Sequence, residues 1–115
     1  MKPFDPDRLL AAQGGRCFYC GDALGRGATV DHLIPQAYGG IDDVANCVMA
    51  HRRCNQLKGD RLPTPDEIER LVEERKRSRL PVWPPLLAVR DADPDRAWME
   101  CALAIREWNR VHPRT

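Results

Sequence analysis

No apolar run in this chain approaches the roughly 20 residues that a membrane-spanning helix needs, so a helical integral membrane protein is excluded. A surplus of one charge is also missing: the formal net charge is only +1, and whole-molecule electrostatics do not single out nucleic acid as a partner. There is no internal repeat and no low-complexity tract. Residues 1–10 hold no apolar signal segment, which makes a reducing cytoplasm the expected location. Two zinc-dependent classes fail on their ligands. The eight cross-braced ligands of a RING-type ubiquitin ligase are absent, and so is the His-x-Glu before Pro-Cys-x-x-Cys of a zinc deaminase. With 115 residues the chain suffices for one compact unit whose core is too modest for two independent domains.

What is present is a set of metal-ligand residues arriving as two close pairs. Cys17-Phe18-Tyr19-Cys20 is followed, after the thirty residues from Gly21 to Ala50, by His51-Arg52-Arg53-Cys54 with the same two-residue gap. Tetrahedral zinc takes four ligands at about 2.0–2.3 Å, and residues three apart on a tight turn converge on such a point. Closing the intervening loop onto the metal costs entropy that grows only slowly with loop length. The competing reading treats these cysteines as buried thiols or disulfide partners. The odd total of five and the expected reducing compartment favour zinc. Cys47 and Cys101 are left over, and both read as small buried hydrophobes.

The segment from Arg16 to Gly59 resembles the HNH endonuclease family, the zinc-clasped branch of the His-metal finger (ββα-metal) nucleases. The resemblance is carried by Arg16-Cys17-Phe18-Tyr19-Cys20-Gly21, by Val30-Asp31-His32-Leu33-Ile34-Pro35, by Gly39-Gly40, by Asn46, and by His51-Arg52-Arg53-Cys54-Asn55-Gln56-Leu57-Lys58-Gly59. It spans a little over a third of the chain. Each piece alone is weak, and the ordered set is specific. The family most often has cysteine where this chain has His51, a change to a Cys₃His shell that zinc accepts. A functional rather than structural histidine at 51 is the alternative.

The resemblance implies a role for each residue. His32 is the general base that takes a proton from the attacking water, a task suited to an imidazole with an ordinary pKa of about 6.5. Asp31 and Asn55 are ligands of one divalent cation, magnesium or manganese, whose coordination is completed by water and phosphate oxygens. Asn46 holds the loop that orients His32. Taken singly, Asp31 reads more readily as a turn or cap residue, His32 as a partly buried histidine, and Asn46 as a loop residue bonding to its own backbone; taken together, at the family's spacing between the ligand pairs, the functional reading prevails. There is also a geometric difficulty. Neighbours on a regular strand point to opposite faces, so Asp31 and His32 serve one site only if a bulge or a strand end intervenes.

Local patterns supply the frame. Asp5 to Ala12 reads as a short helix ended by Gly14-Gly15, Ala28 to Ile34 as a strand, Asn46 to Ala50 as a second strand, and His51 to Gly59 as a helix, giving the order ββα. Phe18 and Tyr19 read as core or zinc shield. Arg52, Arg53, Lys58 and Arg61 fall within ten residues against the single acid Asp60, a basic ridge suited to nucleic-acid backbone. Thr64-Pro65-Asp66-Glu67 carries the signals of a capped helix start, and Ile68, Leu71 and Val72 form its apolar stripe before Pro81. Pro81-Val82-Trp83-Pro84-Pro85 reads as a rigid, extended spacer. Asp93-Pro94 opens a second helix, on which Trp98, Cys101, Ala102, Ile105 and Trp108 recur at helical spacing as a core stripe.

The expected architecture is therefore α+β: an HNH finger with its zinc site at 1–61, and a helical extension at 62–115 packed over the finger's open side. A partner-docking surface or a DNA-positioning arm is the alternative use of that extension. Its ten basic and ten acidic residues balance, which gives the arm no electrostatic support. The expected activity is metal-dependent hydrolysis of phosphodiester bonds in DNA, with RNA as the other candidate substrate, by a monomer or weak homodimer of phage or bacterial type. The alternative function is a non-catalytic zinc-binding module that docks nucleic acid or protein through the basic helix.

Overall fold

The computed structural model describes residues 5–113. The chain opens with helix α1, Pro6–Ala12, which has proline in its first turn; the Asp5 carboxylate accepts from the Asp7 N–H at 2.9 Å as its N-cap. Strands β1, Ala28–His32, and β2, Cys47–His51, pair antiparallel in unbroken register, with Ala28 opposite His51, Asp31 opposite Val48 and His32 opposite Cys47. Helix α2, Arg52–Lys58, follows β2 directly. The finger is thus ββα, and the ends of its elements lie within two residues of the pattern read from the sequence.

Three helices follow, where the sequence suggested two. Helix α3, Pro65–Ser78, starts in a complete capping box, the Thr64 hydroxyl accepting from the Glu67 N–H while the Glu67 carboxylate accepts from the Thr64 N–H. Helix α4, Pro84–Asp91, occupies part of the stretch expected to be an extended spacer. A proline lacks the N–H that a helix's first turn leaves unpaired anyway, and its fixed φ is already helical, so Pro84 and Pro85 start a helix here instead of preventing one. Helix α5, Ala97–Val111, begins after a single 3-10 turn at Pro94–Arg96. Its apolar stripe is narrower than expected. Cys101 and Ile105 are buried and Trp108 packs against the core, but Ala102 is exposed and Trp98 is 46% exposed, lying edge-on to Tyr38 with ring centroids 4.5 Å apart.

One continuous core joins finger and extension: Phe18, Leu33, Ile34 and Val48 pack with Ile68, Leu71, Trp83, Leu86, Val89, Cys101 and Ile105. A second, smaller cluster under α1 gathers Leu9, Val44, Cys47, Met49 and Leu80. Between the two clusters, α3 sends Arg75 inward. Its guanidinium, 2% exposed, donates to the carbonyls of Val44 at 2.7 Å, Cys47 at 2.6 Å and Pro81 at 2.9 Å. The Val44 and Cys47 carbonyls flank the start of β2 and that of Pro81 lies between α3 and α4, so the charge is buried where unpaired backbone acceptors would otherwise stand. Trp83 adds a backbone bond, its N–H donating to the Ala45 carbonyl at 2.9 Å.

Candidate metal and catalytic site

The first pair of soft ligands sits on a turn that the backbone closes twice. The Gly21 N–H donates to the Cys17 carbonyl at 3.0 Å and the Cys17 N–H to the Asp22 carbonyl at 2.8 Å, while Gly21 takes φ +79°, a left-handed conformation cheap only for glycine. The second pair comes from the junction of β2 and α2: His51 ends the strand and caps the helix, and Cys54 lies in the first helical turn. The ligand atoms of Cys17, Cys20, His51 and Cys54 all lie within 4.8 Å of one another. His51 Nδ1 is 3.3 Å from the Cys20 sulfur and 3.8 Å from that of Cys54. Ligands about 2.0–2.3 Å from a tetrahedral centre stand at this kind of separation from each other, so the cluster is compatible with a structural zinc.

Two further features fit a metal. His51 Nε2 lies 3.0 Å from the Ala23 carbonyl, a bond that places the ring proton on Nε2 and leaves the Nδ1 lone pair toward the thiols. At Cys17, burial acts to raise the thiol, but donors from the Cys20, His51 and Tyr19 backbone outweigh it and bring the thiol down to about 6, within reach of the thiolate that a metal requires.

The opposite end of the hairpin carries the other predicted residues. Asn46 is fully buried and uses its whole amide: Oδ1 accepts from the Ile34 N–H at 3.0 Å, and Nδ2 donates to the carbonyls of Ile34 and Ile41, each at 3.0 Å. It thereby sews the segment leaving β1 to the loop that returns to β2. Gly40 is required by the same approach, because a Cβ there would lie 1.7 Å from the Ile34 carbonyl oxygen.

Asp31 and His32 occupy the last two positions of β1, and the strand ends at His32 with no bulge in the register. Asp31 faces the side covered by α2. Thr29, two residues earlier on that same face, accepts from Asn55 Nδ2 at 3.4 Å, so β1 and α2 turn Asp31 and Asn55 to one side. The Tyr19 hydroxyl donates to Asp31 Oδ2. Burial pushes the Asp31 carboxyl above the usual range, while the Tyr19 bond and the nearby positive charge of Lys58 oppose it. Burial and the Asp31 charge together drive the Tyr19 phenol well above its ordinary value, so it stays a donor. His32 turns toward the return loop, where Nε2 lies 2.9 Å from Asp42 Oδ1.

The basic ridge is thinner than its sequence. Arg52 and Arg53 are exposed and make no ion pair among the described residues. Lys58, by contrast, is only 5% exposed, its ammonium 3.4 Å from the His32 carbonyl, and burial pulls it below its ordinary value against the attraction of Asp31. Arg61 is engaged by Glu67 through two bonds of 2.8 and 2.9 Å. Two side chains enter the site without having been read as functional. Tyr19 was expected only as packing, and its aromatic neighbour Phe18 does pack, in the core with Arg70 over its ring. Asp42 carries no motif signal of its own in the sequence.

Residues 17–61 match the model of the HNH endonuclease family. The match contains both ligand pairs, the Asp31-His32 strand end, Asn46 and Asn55, and it stops before α3. No curated protein matches the chain.

Proposed function

We propose that this chain is a divalent-metal-dependent endonuclease that hydrolyses phosphodiester bonds in DNA. The observation that carries the reading is the convergence, within an HNH-matching segment, of Asp31 and Asn55 on one side of a strand end whose last residue is His32, beside a loop tied down by Asn46. Asp31 and Asn55 offer oxygens of the hard type that magnesium or manganese prefers. Such an ion supplies stabilisation of charge on the scissile phosphate and the leaving oxygen when bound.

The chain's own groups do the rest. His32 accepts the proton of a water whose oxygen attacks phosphorus, the bond from phosphorus to the 3′ oxygen breaks, and the leaving oxygen takes a proton from solvent, giving 5′-phosphate and 3′-hydroxyl ends. Tyr19 fixes the Asp31 carboxylate, and Asn46 fixes the segment that leaves the base at Ile34 and the return loop at Ile41. Cys17, Cys20, His51 and Cys54 hold a structural zinc that sets the start of α2, and hence Asn55, against β1. Arg52 and Arg53 contact the backbone phosphates. Docking through the basic helix alone draws less support, since Lys58 is buried and Arg61 is held by Glu67.

Supercoiled plasmid incubated with magnesium or manganese tests the proposal. The wild type is expected to nick it, and His32→Ala to fall by 100-fold or more, on the order of a general base's contribution. A folded, zinc-loaded wild type that leaves DNA intact with either metal refutes it. A parallel RNA substrate decides between the two polymers.

A further inference from the structure

The loop that returns from β1 to β2 carries one carboxylate to the imidazole, and no motif residue accounts for it. We propose that Asp42 is the positioning residue of the base: it holds the His32 ring in a single orientation and tautomer, so that Nδ1 is the nitrogen presented to the attacking water. The inference rests on the nuclease reading above and deepens it.

The contact is between Asp42 Oδ1 and His32 Nε2, 2.9 Å apart. A carboxylate only accepts, so the ring must place its proton on Nε2, and the neutral imidazole then keeps its lone pair on Nδ1. Nδ1 has no protein hydrogen bond among the described residues, and the His32 side chain is 22% exposed. Asp42 is itself held in place from both sides. The carbonyl of Ile41 accepts from Asn46 Nδ2 at 3.0 Å, and the Asp43 carboxylate accepts from the Ala45 N–H at 2.9 Å. The buried amide of Asn46 therefore fixes the partner of the base as well as the backbone beside it.

Stability is a poor reason for this pair. The Asp42 side chain is 59% exposed, and an exposed ion pair contributes little. A catalytic histidine gains more from such a neighbour, because a ring free to rotate or to move its proton presents the wrong nitrogen part of the time. Cys47 Sγ is the third donor atom of this cluster, within 4.8 Å of the other two. Burial pushes its thiol up to about 12, so it is no rival to the carboxylate as an acceptor.

The test joins kinetics to a direct reading of the ring. Nitrogen NMR of zinc-loaded wild type at a pH where His32 is neutral should show its proton on Nε2, and Asp42→Ala should show a mixture of tautomers. Asp42→Ala should also lower kcat on plasmid on the order of tenfold with KM little changed, and Asp42→Glu should recover part of the loss. Zinc content and circular dichroism should be those of wild type for both. A wild-type ring protonated on Nδ1, or an Asp42→Ala protein that cuts at the wild-type rate, overturns the proposal. A wild type with the Nε2 proton in place that never nicks DNA overturns the nuclease reading instead, and the two failures are thereby told apart.

Discussion

The two ends of the β1–β2 hairpin are held by different physics. At one end Ala28 faces His51, and order comes from four ligands gathered by a turn and a helix start, three of them at least partly open to solvent. At the other end His32 faces Cys47, and order comes from the buried Asn46 amide, the Arg75 clamp and the shared core with α3, α4 and α5. The ends lie four residue steps apart, roughly 13 Å at the usual strand rise. A finger this small has little apolar area of its own; one end gathers a Cys/His cluster compatible with zinc, and the other borrows the core of the helical extension. On the proposed reading, the His32 end would have the rigidity to hold a base, while zinc at the other end would set α2 and with it Asn55.

If that division is right, perturbing each end should have its own signature, and the largest belongs to zinc. Structural zinc contributes on the order of 10 kcal/mol of apparent binding free energy in small domains. Chelating the tight metal should therefore unfold the finger, seen as a loss of circular dichroism and of nicking together. An unchanged spectrum after complete zinc removal would remove the clasp from the account. A smaller effect is expected at the other end from Arg75→Ala, which leaves the carbonyls of Val44, Cys47 and Pro81 without their donor. The loss should be about 3 kcal/mol in urea unfolding, with zinc content unchanged.

The smallest effect is at the seam between finger and extension. Burial alone would raise the Glu67 carboxyl, but the bonds from Arg61 and the Thr64 N–H outweigh it and hold the group below its ordinary value. A group depressed in the folded state adds stability above its unfolded pKa and loses it as pH falls through the folded one. Glu67→Gln should thus lower the Tm modestly at neutral pH, with the gap to wild type closing in acid as pH falls through the depressed folded value. A gap that persists in acid would assign the loss to packing rather than to the charge.

Legibility in the sequence followed the range of the interaction. The ligand pairs were readable because each is a local turn with a fixed two-residue gap, and the capping box of α3 because it is complete within four residues. Asn46 was readable as a loop tie only through its place in the family motif. Pro84-Pro85 was ambiguous in kind, since the same dipeptide suits an extended strap and a helix's first turn. The run Leu86-Leu87-Ala88-Val89 behind it was the overlooked signal. Lys58 looked like one cation of a solvated face, and nothing local says that its ammonium turns in toward the His32 carbonyl. Asp42 meets a histidine ten residues earlier through the path of a loop, which spacing alone does not encode.

The most direct trial sets the two histidines of the finger side by side. His51→Cys restores the commoner ligand of the family, while His32→Ala removes the base, and both proteins are assayed for zinc and for plasmid nicking. The account predicts that both keep one tight zinc per chain, that His51→Cys still nicks within several-fold of wild type, and that His32→Ala does not. A zinc-loaded His51→Cys protein that has lost activity beside a His32→Ala protein that retains it would contradict the division of labour outright.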